Sequence, residues 1–108
     1  MSQITTHILD AAFGRPAADV PVALLNGDGV EIASGRTDGD GRVNDLGPER
    51  LDSGTYRLSF ATGEYFARTS RETFYPIVSI DFVVTDSGQR YHVPLLISPF
   101  AYSTYRGS

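Results

Sequence analysis

Two histidines are the side chains of this 108-residue sequence best suited to moving protons near neutral pH. His7 lies in the segment TTHILD and His92 in the segment RYHVPLL. The ordinary pKa of histidine, about 6.5, lets it take and release a proton close to neutrality. A lone histidine on a strand is more often a hydrogen-bonded structural residue. If the two face one another, however, mutual repulsion disfavours their both being charged, and they can divide the roles of base and acid.

Arg42 is a candidate for binding a polar or anionic substrate. It follows the segment TDGDG, a glycine-rich turn that could fix the backbone and direct the side chain. The planar guanidinium offers paired N–H donors to an anion, although a solvated turn arginine is the simpler interpretation of Arg42 alone. Asp38 and Asp40 have the spacing of the first ligands of an EF-hand loop. Because the later glutamate and the flanking helices are missing, no calcium site is predicted.

The sequence ends in STYRGS, which places Tyr105 and Arg106 just before Gly107 and Ser108. Chain ends usually fray and carry small solvated residues. A tyrosine and an arginine at these positions therefore indicate either the last strand of a sheet or part of a site. The sequence has no HExxH, P-loop or GxSxG motif that would identify another catalytic centre.

Short segments of alternating apolar and polar residues predict the strands that position these side chains. The segment VPVALLNGDGVEIASG predicts two strands joined at residues 26–29, where Asn and Gly tolerate a positive φ. In TYRLSFAT the apolar members of residues 56–60 fall on one face. The segment PIVSIDFVVTDSGQRYHVPLLISP predicts a hairpin with its turn at Asp86-Ser87-Gly88, and with Val78, Ile80, Phe82 and Val84 on one face.

The fold class predicted from these segments is all-β, a two-layer sandwich of seven or eight strands in a single domain spanning residues 1–108. Only GEYFARTSRE, residues 63–72, resembles a helix. Pro94 interrupts the strand pattern YHVPLLI, so its position should be unpaired or at an edge. The last strand, near residues 102–108, would be a short edge strand of the kind at which subunits join.

Composition excludes several function classes. The formal net charge is −4, all nine basic residues are scattered arginines, and there is no cysteine. Disulfides and thiolate metal sites are excluded, and nucleic-acid binding is not expected. No apolar run reaches the roughly 20 residues that span a bilayer, and MSQITTHILD lacks the pattern of a signal peptide. We therefore expect a cytoplasmic protein with no membrane partner.

Four segments, in the order THILD, DGR, YHVPLLISP and YRGS, resemble the transthyretin-like family and, more narrowly, its hydroxyisourate hydrolase branch. The resemblance extends to GRPAADVPVAL and FYPIVSIDF and covers nearly the whole chain. The ending YRGS is the most specific of these elements. Transport-type members of the family resemble the sequence elsewhere but lack that ending and the histidines.

The resemblance implies a two-sheet sandwich of eight strands with a short helix, assembled as a homotetramer, a dimer of dimers with active sites where the dimers meet. It implies hydrolytic opening of the ring of 5-hydroxyisourate, with no metal or organic cofactor. The residues that match the family's motifs as catalytic are His7, Arg42, His92 and Ser108. Those that match as substrate-binding are Arg42, Tyr105, Arg106, Gly107 and Ser108.

Two other function classes remain open at this point. A transthyretin-like carrier of a small aromatic ligand would use the same channel, but it would not need both histidines and the YRGS ending together. A generic immunoglobulin-like adhesion or carbohydrate-binding domain would be a monomer with exposed aromatic residues. Ring opening needs a base for water, a stabiliser for the developing oxyanion and an acid for the departing nitrogen. Which histidine is the base is not decided by the sequence.

Overall fold

A computed structural model describes residues 2–85 and 88–108. Within these residues, nine strands form two sheets, and there is one short helix. The strands are β1 (Ile4–Asp10), β2 (Arg15–Pro16), β3 (Pro21–Leu25), β4 (Glu31–Arg36), β5 (Arg42–Leu46), β6 (Gly54–Phe60), β7 (Val78–Val84), β8 (Tyr91–Ser98) and β9 (Ala101–Thr104). The helix α1 (Thr62–Arg68) lies between β6 and β7. No helix among the described residues is long and apolar enough to cross a membrane. The prediction of an all-β sandwich with one short helix is confirmed.

The first sheet has the order β2-β1-β8-β9, with β5 also pairing with β1, and the second has the order β4-β3-β6-β7. Every pair is antiparallel except β1 with β8, which run parallel. Because strands 1 and 8 are far apart in sequence, this parallel pair joins the two ends of the chain. It is also the pair that carries both histidines.

The core lies between the two sheets and is built from alternate residues of the strands. In β6, Tyr56, Leu58 and Phe60 are buried, as their alternation predicts, while Arg57 is exposed. The inward residues of β1 are Ile4, Thr6, Ile8 and Asp10, and those of β8 are Tyr91, Val93, Leu95 and Ile97. Each fully buried aliphatic or aromatic side chain contributes about 1.5–3 kcal/mol. The odd-numbered residues of β1 and the even-numbered residues of β8 consequently lie on the outer face of the first sheet.

The hairpin predicted at residues 26–29 is confirmed, but the one predicted around residues 86–88 is wrong. Strands β3 and β4 pair across the Asn26 turn, in which the Asn26 side chain accepts hydrogen bonds from the amides of Asp28 and Val30. By contrast, β7 pairs with β6 in the second sheet and β8 lies in the first. Alternation tells which face of a strand is buried, but not which strand lies beside it. Asp86 and Ser87 of the predicted turn lie outside the described residues.

Two further boundaries differ from the predictions. The helix ends at Arg68 rather than reaching residue 72, because Ser70 has a positive φ of 57° and turns the chain away from the helix axis. The last strand ends at Thr104, so Tyr105 and Arg106 do not form the closing strand. Beyond Thr104 the backbone pairs with β8 again at an isolated bridge between His92 and Gly107.

The break in this last ladder coincides with Pro94. The pairing of β8 with β9 runs from Ser98–Ala101 to Leu95–Thr104 and does not include Pro94, whose carbonyl accepts a hydrogen bond from the Thr104 hydroxyl at 2.7 Å. Proline has no N–H to donate, so the ladder cannot continue there. The predicted unpaired position is therefore found, although β8 itself is a central strand and not an edge.

A buried ion pair fixes the end of β1 to the segment after the helix. The side chain of Asp10 is fully buried and accepts hydrogen bonds from Arg71, from the Tyr65 hydroxyl and from the amide of Phe13. The guanidinium of Arg71 also stacks on the Phe13 ring, 3.6 Å from its centroid. Burial by itself raises the pKa of Asp10, but these hydrogen bonds and the charge of Arg71 outweigh it and lower the pKa to about 2.

We expect Asp10→Asn to lower the free energy of unfolding at pH 7 by about 3 kcal/mol, because breaking a buried pair leaves Arg71 without its counter-ion. The native pKa of Asp10 lies below its ordinary value of 3.8, so its stabilisation is present above pH 3.8 and is lost as the pH falls toward 2. Urea unfolding at pH 7 and pH 2.5 measures both effects. Asp81→Asn, which removes the exposed partner of Arg57, is the control and should change little. Equal losses in the two variants would contradict the account of Asp10.

Candidate active site

Strands β1, β5 and β8 bring His7, Arg42 and His92 to the outer face of the first sheet. Across β1 and β5, His7 is paired with Arg42. Across β1 and β8, Thr5 is paired with His92 and His7 with Pro94. The two histidines therefore lie on one face of neighbouring strands, two residues out of step, a separation of roughly 8 Å between their Cβ atoms from ordinary strand spacing.

The glycine-rich turn before β5 holds Arg42 in place beside His7. The Asp38 carboxylate accepts hydrogen bonds from the amides of Asp40 and Arg42, both at 2.9 Å, and the Asp38 amide donates to the Arg42 carbonyl. Gly41 has a φ of +78°, and a Cβ atom there would lie 2.3 Å from the carbonyl oxygen of Ile8. Asp38 therefore caps the turn through its carboxylate, and Gly41 provides a close approach to Ile8 that no other residue allows.

The same turn fixes which nitrogen of His7 carries a proton. His7 Nε2 lies 2.9 Å from the carbonyl oxygen of Asp40. A carbonyl oxygen only accepts hydrogen bonds, so Nε2 must be the donor. When His7 is neutral, its lone pair is therefore on Nδ1, and any proton that His7 takes from a reacting group is taken there.

His92 is held by Thr5 and has a lowered pKa. Its Nδ1 lies 2.7 Å from the Thr5 hydroxyl, which leaves Nε2 for other partners. Burial lowers the pKa of the half-buried His92 below its ordinary value of 6.5, and the positive charge of Arg42 and the neighbouring His7 lower it further. The neutral imidazole is therefore the main form of His92 at neutral pH, as a proton acceptor requires.

The end of the chain packs directly against His92. The Gly107 amide donates to the His92 carbonyl at 2.8 Å. A Cβ atom on Gly107 would lie 2.5 Å from Cδ2 of the His92 ring and 3.1 Å from Cγ of Pro94. Only glycine fits this close approach, and the chain then continues to Ser108.

A cavity of about 270 Å³ opens on this face, lined by Thr5, Arg42, Asn44, Arg90, His92 and Ser108. It therefore joins three of the predicted catalytic residues, and His7 lies next to Arg42 on the adjacent strand. A larger open groove of about 570 Å³ lies on the other sheet, but none of its lining residues is a histidine. Two guanidinium groups, an amide and two hydroxyls around an imidazole form a site suited to a small, polar, anionic molecule.

Tyr105 and Arg106 line a different cavity from Arg42 and Ser108. This second cavity, of about 180 Å³, lies between β7 and the tail and is lined by Ile80, Phe82, Val83, Tyr91, His92, Val93, Thr104, Tyr105 and Arg106. His92 is the residue common to the two cavities. Thr5, Asn44 and Arg90 also line the first cavity, although they were not among the residues predicted from the sequence. Thr5 lies two residues before His7 on the same face of β1, but its contact with His92 depends on the pairing of β1 with β8.

Comparison with known proteins places the chain in a family. Residues 4–107 match the model of the HIUase/Transthyretin family. The chain belongs to this family. The HIUase/Transthyretin family model therefore covers all nine strands, the helix and every residue of the candidate site except Ser108.

Members of the HIUase/Transthyretin family that resemble the chain include hydrolases and transthyretins. The chain is 49% identical over 115 residues to a 5-hydroxyisourate hydrolase of Caulobacter vibrioides, with 100% of both proteins covered. The structure of Klebsiella pneumoniae 5-hydroxyisourate hydrolase matches with a TM-score of 0.90 at 41% identity, over 99% of this chain and 100% of that one. Sea bream transthyretin in complex with thyroxine also matches with a TM-score of 0.90, at 31% identity over 97% and 94%. The backbone fold is thus common to both, and side chains must distinguish them.

Proposed function

We propose that this protein hydrolyses 5-hydroxyisourate to 2-oxo-4-hydroxy-4-carboxy-5-ureidoimidazoline, a step of urate degradation. The observation that carries the proposal is the convergence of His7, Arg42 and His92 on one face of the first sheet, with Ser108 at the same cavity. The 49% identity to the Caulobacter hydrolase over the whole chain supports it. The proposed reaction needs no metal and no organic cofactor.

The chemistry assigns different tasks to the two histidines. Water adds to a ring carbonyl, the bond from that carbon to the ring nitrogen breaks, the nitrogen departs with a proton, and the carbon remains in the product as a carboxylate. His92 is the better base for the water because its lowered pKa keeps it neutral. In the tautomer that acts as the base, Nδ1–H donates to the Thr5 hydroxyl and the lone pair is on Nε2. His7 then donates a proton to the departing nitrogen. A pair of such groups typically contributes about 10²- to 10⁴-fold for each member.

Arg42 and Ser108 complete the proposed catalytic group. Arg42 binds the anionic heterocycle through its paired N–H donors and stabilises the oxyanion that forms when water adds. The hydroxyl of Ser108 orients the substrate or the water at the same cavity. Gly107, which belongs to the substrate-binding group by resemblance, packs on the His92 ring and leads the chain to Ser108. The resemblance assigns Tyr105 and Arg106 to substrate binding, but they line the second cavity and not the one that holds Arg42 and Ser108.

We expect Arg42→Lys to lower kcat/KM by about 10- to 100-fold although the charge is kept, because an ammonium cannot reproduce the paired donors of a guanidinium. Steady-state kinetics on 5-hydroxyisourate measure the loss. Arg50→Lys, an exposed change of the same kind in the loop before β6, is the matched control and should leave kcat/KM unchanged. A fully active Arg42→Lys enzyme would show that Arg42 contributes only its charge.

The proposed assembly is a homotetramer, a dimer of dimers with the sites where the dimers meet. The site cavity lies on an outer sheet face, which a facing subunit would enclose. Strands β7 and β9 are both sheet edges, and Val83 and Tyr102 on them are exposed, together with Phe74, Phe100 and Tyr105 nearby. Unpaired edges with exposed apolar side chains are surfaces at which subunits join. The proposed location is the cytoplasm, in keeping with a sequence that has no cysteine.

The experiment that tests the function generates 5-hydroxyisourate with urate oxidase and follows its ultraviolet absorbance with and without the protein. A hydrolase speeds the decay in proportion to its concentration and turns over many substrate molecules per subunit. A transthyretin-like carrier would bind the compound in at most stoichiometric amounts and leave its decay unaccelerated. An unaccelerated decay would overturn the proposed function.

A further inference from the structure

The side chain of Arg106 is held at the edge of the sandwich, away from the cavity that contains Arg42. Its guanidinium lies over the ring of Tyr91, 4.6 Å from the ring centroid. Its Nη2 donates a hydrogen bond to Oε1 of Gln89 at 3.0 Å. A guanidinium on an aromatic face is an attractive contact, and the hydrogen bond fixes its direction.

The partners of Arg106 are themselves firmly placed. Tyr91 is the first residue of β8 and only 4% exposed, and its hydroxyl accepts a hydrogen bond from the Thr85 amide at 3.1 Å. Gln89 is two residues earlier in the chain, and its carbonyl accepts a hydrogen bond from the Gln3 side chain. Arg106 thus connects a tail that has left the sheet to the segment that leads into β8.

The residues before and after Arg106 show which part of the tail its contacts with Tyr91 and Gln89 hold in place. Before Arg106, Tyr105 is 61% exposed, and the last ladder pair is Leu95–Thr104. After it, Gly107 packs on the His92 ring and donates to the His92 carbonyl. Between the end of β9 and Gly107, Arg106 is therefore the residue whose side chain is fixed to the body of the protein by described contacts.

We propose that Arg106 is a positioning residue: it anchors the tail so that Gly107 packs on the ring of His92 and Ser108 enters the catalytic cavity. The guanidinium groups that line that cavity are those of Arg42 and Arg90, whereas Arg106 lines the other one. The inference rests on the proposed function only for its kinetic consequence. The placement of the tail is a claim about the free protein.

The test compares Arg106→Leu and Arg106→Lys with the control Arg50→Leu, which removes an exposed guanidinium from the loop before β6. Three quantities are measured on each full-length protein: hydrogen exchange of the Gly107 amide, the titration of His92 by NMR, and kcat and KM for 5-hydroxyisourate. His92 can be assigned because the chain has only two histidines. The charged and titratable groups around it, His7, Arg42 and Arg90, are unchanged in all three variants.

We expect Arg106→Leu to speed Gly107 exchange by about tenfold or more. It should lower kcat by about 10- to 100-fold, with KM changed by less than about threefold. The pKa of His92 should rise toward its ordinary value, because Gly107 no longer shields the His92 ring from solvent. In all three measurements Arg106→Lys should lie between Arg106→Leu and the unchanged control, because lysine keeps the positive charge but lacks the planar guanidinium. If Arg106→Leu does not fold, Gln89→Ala removes the other end of the contact and should change the same quantities in the same direction.

Two results would overturn the proposal. A raised KM with unchanged Gly107 exchange and an unchanged His92 titration would make Arg106 a substrate-binding residue. No change in any of the three quantities would show that the tail is held without it. If the wild-type protein does not hydrolyse 5-hydroxyisourate, the proposed function fails, but Gly107 exchange and the His92 titration still decide whether Arg106 is the anchor.

Discussion

His92→Ala and His7→Ala are each expected to lower kcat for 5-hydroxyisourate by about 10²- to 10⁴-fold, the usual contribution of a general acid or base. Both side chains are on the outer face of the first sheet, so neither removal opens a cavity in the core. Initial rates from the ultraviolet assay measure the loss, and circular dichroism with urea unfolding verifies the fold. Near-normal turnover in either variant would make that histidine a structural residue.

The pH dependence of the two variants separates the base from the acid. With His92 as the base, wild-type kcat/KM falls on the acid side as His92 becomes protonated, at a pH below the ordinary histidine value. Since His7 contributes to lowering the pKa of His92, His7→Ala should move this acid limb of the residual activity to higher pH. In His92→Ala the limb should disappear. A limb that persists in His92→Ala would assign the base to His7.

Gly107→Ala is expected to lower kcat by about 10²-fold or more, because an added methyl group must displace the His92 ring. The Cβ atom would stand 2.5 Å from His92 Cδ2, and a misplacement of about 1 Å at a reacting group can cost about 10²-fold. The free energy of unfolding should change much less than the rate, since Gly107 lies near the chain end and outside the core. Steady-state rates and urea unfolding provide the two measurements.

The control for Gly107→Ala is the same substitution at Gly39, where a Cβ atom would meet no heavy atom within 4 Å. Gly39 is in the turn that precedes Arg42, so the control also tests whether a methyl group near the site is harmful in general. Gly39→Ala should keep wild-type rates. Equal activity of Gly107→Ala and Gly39→Ala would show that the His92 ring does not need the space next to Gly107.

The sequence predicted the site through residue types and motif order rather than through geometry. His7, Arg42, His92 and Ser108 were identified from four short segments, and the structure brings three of them to one cavity with His7 beside it. Thr5 could not be identified in this way. Its contact with His92 depends on the parallel pairing of β1 with β8, which joins residues 87 positions apart, and no local pattern records that register.

The parts of the fold that were predicted correctly are those set by local physics. Alternation decides which side chains of residues 56–60 are buried, and Asn26 specifies its own turn. The choice of sheet for β7 and β8 depends on packing across the whole core, so the hairpin prediction was wrong. The end of β9 depends on Pro94 in the neighbouring strand, although the signal for the interruption was visible in the sequence.

The proposed reaction is the addition of water to 5-hydroxyisourate, and a turnover experiment in ¹⁸O-labelled water follows the oxygen that is added. Substrate made by urate oxidase is transferred into labelled water with and without the protein, and decay rate and product mass are recorded together. We expect a decay rate proportional to protein concentration, many turnovers per subunit, and one labelled oxygen in the new carboxylate. Substrate decay that is no faster than in the protein-free sample, or accelerated decay to a product without the label, would contradict the proposed reaction.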